Sequence, residues 1–446
     1  MKTLLQMAEL LAGLLKEQPY GEDTSYRLMH FVIQQPVDDG LLLYNMVTKS
    51  LVFLDAEEAR KMADNPASIP ELVSHWFAVP LDHDDRRLAL EVRAVGKMLQ
   101  NPVKGIKSFT ILTTTDCNAR CFYCYEKGRS RIPMSDNTAR QVAEYIIKNA
   151  AEGTIRLRWF GGEPLYNKKA ITQICSRLSA EGIPFRSSMV SNGFLFDDET
   201  VAEAVQSWKL KKIQITLDGT EKVYNRTKAY IDPGENPFRQ VLGNIQRLVA
   251  AGVRVNIRLN IDRHNSDDLF SLTEMLGEAY GNNPLVKVYS HSLFEVCDAK
   301  AAVKHSDSQR KELFEKQTRL RNRFQELGLF HPGKPSTILK LNHCMADSDD
   351  SVLILPDGHI GKCEHFSDSE WFGHISEETR DESVLKSFKA LRQELDICPQ
   401  CPLYPNCFRL SKCEETVHCY PEEREEKLIA IREQMKSFYS SHEIQN

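Results

Sequence analysis

The chain has 446 residues, 41% of them hydrophobic and 27% charged, with a formal net charge of −5. That composition excludes disordered and fibrous classes and leaves room for about three domains of ordinary size. The small charge of mixed sign argues against a nucleic-acid surface, and no run approaches the ~18 apolar residues of a membrane span. The opening stretch MKTLLQMAELLAGLLKEQ has Glu9 within its apolar part and no small-residue cleavage site behind it. It reads as an amphipathic helix and not a signal peptide, so the protein is expected in the cytoplasm, with no membrane or nucleic-acid partner. Residues 1–100 continue with strands around Tyr26–Gln34, Gly40–Thr48 and Ser50–Leu54, and Asp39-Gly40 gives a hairpin signal. Helices start near Asp55, Pro70 and Asp84. Strands followed by helices, without alternation, predict a small winged-helix-like domain.

The rhythm changes at Ser108. Strands are expected at Phe109–Thr114, Ile155–Phe160, Phe185–Val190, Ile213–Asp218, Val253–Ile261 and Leu285–Ser290. Between them lie helices opened by Ser135 or Asp136, then Lys168–Glu181, Asp198–Trp208, Phe238–Ala251 and Asp267–Tyr280, with a sixth at Ser306–Leu327. The sixth mixes charges of both signs and reads as a solvated face. Strict strand–helix alternation implies a parallel sheet, and six units suit a partial (β/α)6 barrel of the TIM type. In Val253–Ile261 apolar and polar residues alternate without a break. A row holding Arg258 and Asn260 is costly when dry, so it is expected to face a wet barrel interior, the alternative being an exposed strand of an open sheet.

Twelve cysteines are too few for a disulfide scaffold, and they are grouped. Cys117, Cys121 and Cys124 follow the first barrel strand with the spacing C-x-x-x-C-x-x-C. Three thiolates so spaced can ligate three irons of a cubane and leave the fourth open; a structural zinc loop is the alternative. Downstream, Trp159-Phe160-Gly161-Gly162-Glu163-Pro164, Ser191-Asn192-Gly193 and Thr216-Leu217-Asp218-Gly219 close the second, third and fourth strands, the end where barrel enzymes place their sites.

From residue 108 to about 300 these motifs resemble the radical S-adenosylmethionine (SAM) superfamily, including the aromatic Tyr123 before the last cysteine. The resemblance implies that Cys117, Cys121 and Cys124 hold a 4Fe–4S cluster, and that Gly162 and Glu163 receive the methionine amino group. It also implies cofactor contacts from Ser191, Asn192, Thr216 and Arg258 or Asn260, and from Lys228, which stands where many relatives have arginine. The chemistry implied is cleavage of the cofactor to a 5′-deoxyadenosyl radical, with the protein aiming it and excluding water.

The late cysteines resemble the SPASM extension of peptide-modifying radical enzymes. Carried over, Cys398, Cys401, Cys407 and Cys419 close one auxiliary 4Fe–4S cluster, and Cys344, Cys363 and Cys413 hold a second. Five residues separate Cys407 from Cys413, where relatives commonly have three. With three thiolates, one iron of that second cluster is left open as a place for a substrate cysteine sulfur; Cys297 reads as a plain buried cysteine, the alternatives being the missing ligand or a hydrogen donor. A zinc module is the alternative metal reading. His343, His359 and His365 are expected outside the ligand set, and Cys175 in the core. Glu364 occupies the place of a catalytic aspartate in sulfatase-maturing relatives and is the candidate base.

The domain division expected is 1–100 for leader recognition, 101–305 for the radical SAM barrel, and 306–446 for a bridging helix and the SPASM clusters. The function expected is a maturase of ribosomally made peptides (RiPPs). Its substrate would be a precursor with a leader, captured by strand addition at the N-terminal domain and crosslinked, as a cysteine thioether. A flavodoxin or ferredoxin would supply electrons. The alternatives are a sulfatase-maturase-like oxidase, a peptide epimerase, or a non-enzymatic iron–sulfur or zinc scaffold.

Overall fold

The computed structural model describes residues 1–6, 15, 21, 24–99, 104–124, 126–293, 306–366, 370–413 and 419–443. In the N-terminal part, β1 (Lys2–Leu5) and β2 (Tyr26–Leu28) precede a hairpin of β3 (Val32–Val37) and β4 (Gly40–Asn45). Val37 pairs with Gly40, so Asp38-Asp39 is a two-residue turn. β5 (Leu51–Asp55) runs straight into α1 (Ala56–Asp64), because the Asp55 carboxylate accepts from the Glu57 and Glu58 N–H groups while Glu58 returns to the Asp55 backbone. Then come α2 (Pro70–Ser74), β6 (Ala78–Pro80) and α3 (Asp85–Leu99). The main sheet has the order β1-β5-β4-β3, with β2 and β6 paired apart from it. The expected N-terminal helix is corrected at its start. Lys2 and Thr3 pair with Phe53 and Val52, so an available sheet edge overrides the helical spacing; residues 7–14 and 16–20 of that stretch lie outside the described residues.

The barrel follows the expected alternation: β7 (Ser108–Leu112), α4 (Asp136–Asn149), β8 (Ile155–Phe160), α5 (Lys168–Ala180), β9 (Phe185–Ser191), α6 (Asp198–Gln206), β10 (Leu210–Leu217), α7 (Glu221–Lys228), α8 (Pro237–Ala250), β11 (Arg254–Ile261), α9 (Asp268–Tyr280), β12 (Val286–Ser292) and α10 (Asp307–Glu326). Only α7 is an addition. The six strands are parallel and neighbours in chain order, and the sheet continues from β7 into β13 (Ser351–Ile354), β14 (His359–Gly361) and β15 (Trp371–His374). β12 and β15 are its two ends, so the barrel is partial. Phe109, Ile111, Leu157, Trp159, Met189, Ile213, Ile215, Val255, Ile257 and Val288 face the helices in one large core that also holds Cys175. Alternate positions point the other way, as strand geometry requires. α10 buries Leu313, Leu320 and Phe324 and leaves its charged face to solvent.

The chain ends with α11 (Glu382–Lys389) and α12 (Pro421–Glu443). Its compact units are discontinuous in sequence, whereas the division expected above is contiguous. One unit is residues 103–331 with 344–390; the other joins residues 1–102, 332–343 and 391–446. In the second, Phe31, Leu42, Leu72, Phe77 and Val92 share a core with Cys398, Leu403, Tyr404, Met435 and Tyr439. Among the described residues no helix is long and apolar enough to cross a membrane.

Candidate radical SAM site

The cysteine loop leaves the end of β7 and is fastened by the Gly-Gly-Glu segment that ends β8. Gly162 N–H donates to the Thr114 carbonyl at 3.1 Å and Glu163 N–H to that of Asp116 at 2.9 Å. A Cβ on Gly161 (φ +127°) would lie 2.1 Å from the Thr114 oxygen, and one on Gly162 2.3 Å from the Asp116 oxygen. Only glycine tolerates that approach. Glu163 is thereby set beside the loop, fully buried, its carboxylate accepting from Ser191 Oγ (2.9 Å), Asn192 N–H (2.8 Å) and Leu165 N–H (3.2 Å). Burial outweighs these bonds and pushes the carboxyl up to about 7. Asn192 Nδ2 donates to Asn118 Oδ1 at 2.7 Å and stands 3.8 Å from the Cys117 sulfur. Three strand ends thus bring Cys117, Asn118, Glu163, Ser191 and Asn192 together.

A second cluster holds the other side of the loop. Tyr123 OH donates to Asp218 Oδ2 at 2.8 Å, and Lys228 Nζ donates to Tyr123 OH at 3.0 Å and lies 2.9 Å from Asp218 Oδ2. Burial opposes the ammonium, but Asp218, Tyr123 and Cys121 outweigh it and hold Lys228 well above the usual lysine range. The Lys228 carbonyl also accepts from Arg120 N–H at 2.9 Å. The end of α7, which the strand–helix pattern does not predict, is therefore a second anchor of the loop. Thr216 and Arg258 are paired positions of β10 and β11, and Arg258 Nε donates to Asn260 Oδ1 at 2.9 Å.

These residues suit a thiolate-bound cluster and a polar cofactor. Burial pushes the Cys117 thiol up to about 12 and the Cys124 thiol up to about 11, and the charges of the other loop cysteines push the same way. Two buried atoms, Asn118 Nδ2 and Asp218 Oδ1, have no hydrogen-bond partner among the described residues, which suits a further polar ligand. Among the described residues no three His, Cys, Asp or Glu side chains converge as one metal ion requires. A cubane asks for less convergence, since each thiolate binds a different iron.

Residues 111–276 match the Radical SAM superfamily. The chain carries a radical SAM domain. It includes both clusters just described, and it is a domain of enzymes that use SAM and a 4Fe–4S cluster. Among curated relatives, the GTP 3′,8-cyclase of Clostridium perfringens (strain 13 / Type A) is 24% identical over 269 residues, covering 57% of this chain and 80% of the relative. That of Alkaliphilus metalliredigens is 31% identical over 171 residues, covering 37% and 51%. Among solved structures, Streptococcus suis SuiB bound to S-adenosylmethionine aligns with a TM-score of 0.52 at 14% identity, over 88% of this chain and 95% of SuiB. anSMEcpe with bound AdoMet and the Cp18Cys peptide aligns at 0.53 and 15% identity, over 75% and 96%. The likeness to both is one of fold.

In β11, Val255, Ile257, Leu259 and Ile261 pack in the core, and the alternate positions put Asn256, Arg258 and Asn260 on the other face of the sheet. Gln214 accepts from Tyr289 OH at 2.7 Å, and Tyr289 feels the charges of Arg258 and Arg158. Burial and Arg258 push His291, paired with Asn260 across β11 and β12, down to about 4, so it is neutral. Glu364 Oε1 lies 3.7 Å from Arg158 Nη1, and Arg129 donates to the Glu364 and His365 carbonyls at 3.3 and 3.0 Å. Sequence reasoning missed Asn118, Arg158, Tyr289, His291 and Asn265. The last donates to the Asp218 and Asn260 carbonyls at 2.9 and 2.7 Å and ties two strand ends together. Its signal was the Asp262-x-x-Asn265 turn, in which Asp262 N–H donates to Asn265 Oδ1 at 2.8 Å.

The late cysteines divide between the units. Cys344 and Cys363 belong with the barrel, whereas Cys398, Cys401, Cys407, Cys413 and Cys419 belong to the other unit. In the barrel unit, Lys362 Nζ donates to the Ser348 and Ser351 carbonyls at 2.6 and 2.7 Å, binding the turn after Cys344 to the strand before Cys363. In the other unit, burial and the charges of Cys401, Cys419 and Cys398 push the Cys407 thiol up, against Lys427. Cys297 lies outside the described residues.

Proposed function

We propose that this enzyme is a peptide maturase that installs a crosslink, a cysteine thioether, in a ribosomally made precursor. Cys117, Cys121 and Cys124 would hold the cluster, and Glu163, with Ser191 and Asn192, would take the ammonium group of S-adenosylmethionine. Thr216, Arg258 and Asn260 would face the remaining cofactor. With both groups bound, the site supplies a 5′-deoxyadenosyl radical. Tyr123, Asp218 and Lys228 hold the loop in place, and the barrel side chains orient substrate. Glu364, facing Arg158, is the carboxylate available to a substrate thiol proton.

The observation that carries the peptide reading is likeness of fold over most of the chain to SuiB, which has been solved bound to its precursor peptide SuiA, at a TM-score of 0.50 and over 86% of this chain. In the reading proposed, residues 1–102 bind the leader, Cys398, Cys401, Cys407 and Cys419 hold one auxiliary 4Fe–4S cluster, and Cys344 and Cys363 serve the other. A flavodoxin or ferredoxin donates electrons in a cytoplasmic setting. The test is anaerobic incubation of reconstituted enzyme with dithionite, S-adenosylmethionine and either a cysteine-containing precursor or GTP. Release of 5′-deoxyadenosine with a peptide product lighter by a pair of hydrogens, its cysteine no longer alkylated by iodoacetamide, is expected. Conversion of GTP with the peptide untouched would place the enzyme with the cyclases instead.

A further inference from the structure

Arg93 sits on α3, 8% exposed, and its Nη2 donates to the carbonyls of Tyr404 (3.1 Å), Pro405 (3.1 Å) and Cys407 (3.5 Å). Its guanidinium carbon lies 4.2 Å from the centre of the Phe408 ring. Nε has no hydrogen-bond partner among the described residues. The carboxylate whose charge it feels is Glu394, and that group is already taken up by Arg86 at 2.7 and 3.1 Å and by Tyr404 OH at 2.7 Å. A buried guanidinium without its own carboxylate is costly unless another anion balances it. The anion that would balance it is a metal-bound thiolate of Cys407, whose own carbonyl accepts from Arg93 Nη2 and which stands with Cys398, Cys401 and Cys419 in the proposed ligand set.

A cubane held by four thiolates carries net negative charge, and nearby charge and hydrogen bonding set its potential. We infer that Arg93, contributed by the N-terminal segment, positions the loop around Cys407 and supplies a buried counter-charge to the iron–sulfur cluster held by Cys398, Cys401, Cys407 and Cys419. The inference rests on the auxiliary-cluster reading above. Arg424 and Lys427 also face these thiols, at Cys419 and Cys407. Both come from α12 and are less enclosed; Arg93 differs in being buried and in gripping the backbone that presents the ligand.

The test uses full-length enzyme, reconstituted anaerobically, in a Cys117→Ala/Cys121→Ala/Cys124→Ala background for potentiometry and in the wild-type background for cofactor binding. Arg93→Met is expected to lose iron from the auxiliary site, or to shift the midpoint of what it retains to more negative potential. S-adenosylmethionine binding at the barrel should be unchanged. Arg93→Lys keeps the charge but not the fork, so it should hold the midpoint near wild type while losing part of the iron. Wild-type iron content and midpoint in Arg93→Met would overturn the inference, as would parallel loss of cofactor binding, which would mean general unfolding. If Arg93→Met does not fold, a midpoint shift in Arg93→Lys as large as that in a Phe408→Leu control would overturn it equally. Unchanged iron in Cys398→Ala/Cys407→Ala would instead remove the cluster reading on which the inference stands.

Discussion

A carboxylate as enclosed as Glu163 keeps its proton up to about pH 7 until a cation meets it. Because its folded value is raised, it adds stability below the ordinary carboxylate range that is lost as pH rises through about 7. Binding a ligand ammonium runs the other way, since the ionised form is the one that binds. Affinity for S-adenosylmethionine should therefore rise about tenfold between pH 6 and 8, as the ionised fraction goes from about one-tenth to about nine-tenths. Glu163→Gln should flatten that dependence and weaken binding by about ten- to a hundredfold, while raising the melting temperature at pH 8. Equilibrium dialysis and calorimetry on the reconstituted enzyme measure both; a pH-dependent Glu163→Gln variant would refute the assignment. Gly162→Ala should be more severe than its size suggests, because the added methyl lies 2.3 Å from the Asp116 oxygen and must push the cysteine loop away. Iron retention after desalting should drop in that variant. The glycines, Glu163 and the three cysteines were legible in the sequence, since each is a residue type with few other uses at that spacing. Asn118 and Asn265 were not, because a lone asparagine in a loop looks the same whether it binds its own turn or, like Asn265, the neighbouring strand end.

At the level of elements, the parallel strands could be read because burial of one face against helices leaves a periodic mark, and in β11 the polar row on the other face adds its own. β13 and β14 left no such mark. They have four and three residues, and β13 gains its place only by pairing with β7, far away in sequence. The same applies to β1, whose helical spacing is outweighed by a sheet edge. α7 shows what a short element can do: its final residue carries an ammonium, 3% exposed, onto Asp218 and Tyr123 beneath the cysteine loop. Asp218→Asn should strand that charge and cost about 3–5 kcal/mol, while Asp218→Asn/Lys228→Met should recover much of it. Chemical denaturation of the wild type, Asp218→Asn, Lys228→Met and the double variant makes the cycle; additivity would mean the pair is not coupled.

In the molecule as a whole, residues 1–102 are not an appendage to be trimmed. Phe31, Leu42 and Val92 share a core with Leu403, Tyr404 and Met435, so removal of residues 1–102 would bare half of it. Such a truncation should lose the auxiliary iron proposed for Cys398, Cys401, Cys407 and Cys419 and bind hydrophobic dyes, while the barrel keeps its affinity for S-adenosylmethionine. Iron analysis beside a cofactor-binding assay decides this, and full auxiliary iron in the truncated protein would show the shared core to be dispensable. This pairing of distant segments was invisible in the sequence, where periodicity speaks only of near neighbours. It also sets an order of events at the ribosome. The first segment of the unit must wait for roughly 290 residues to be made before its partner follows, on the order of half a minute at ordinary elongation rates. Through that interval its apolar face has no mate, and the barrel has time to fold and take up its own iron before the last cysteines leave the exit tunnel.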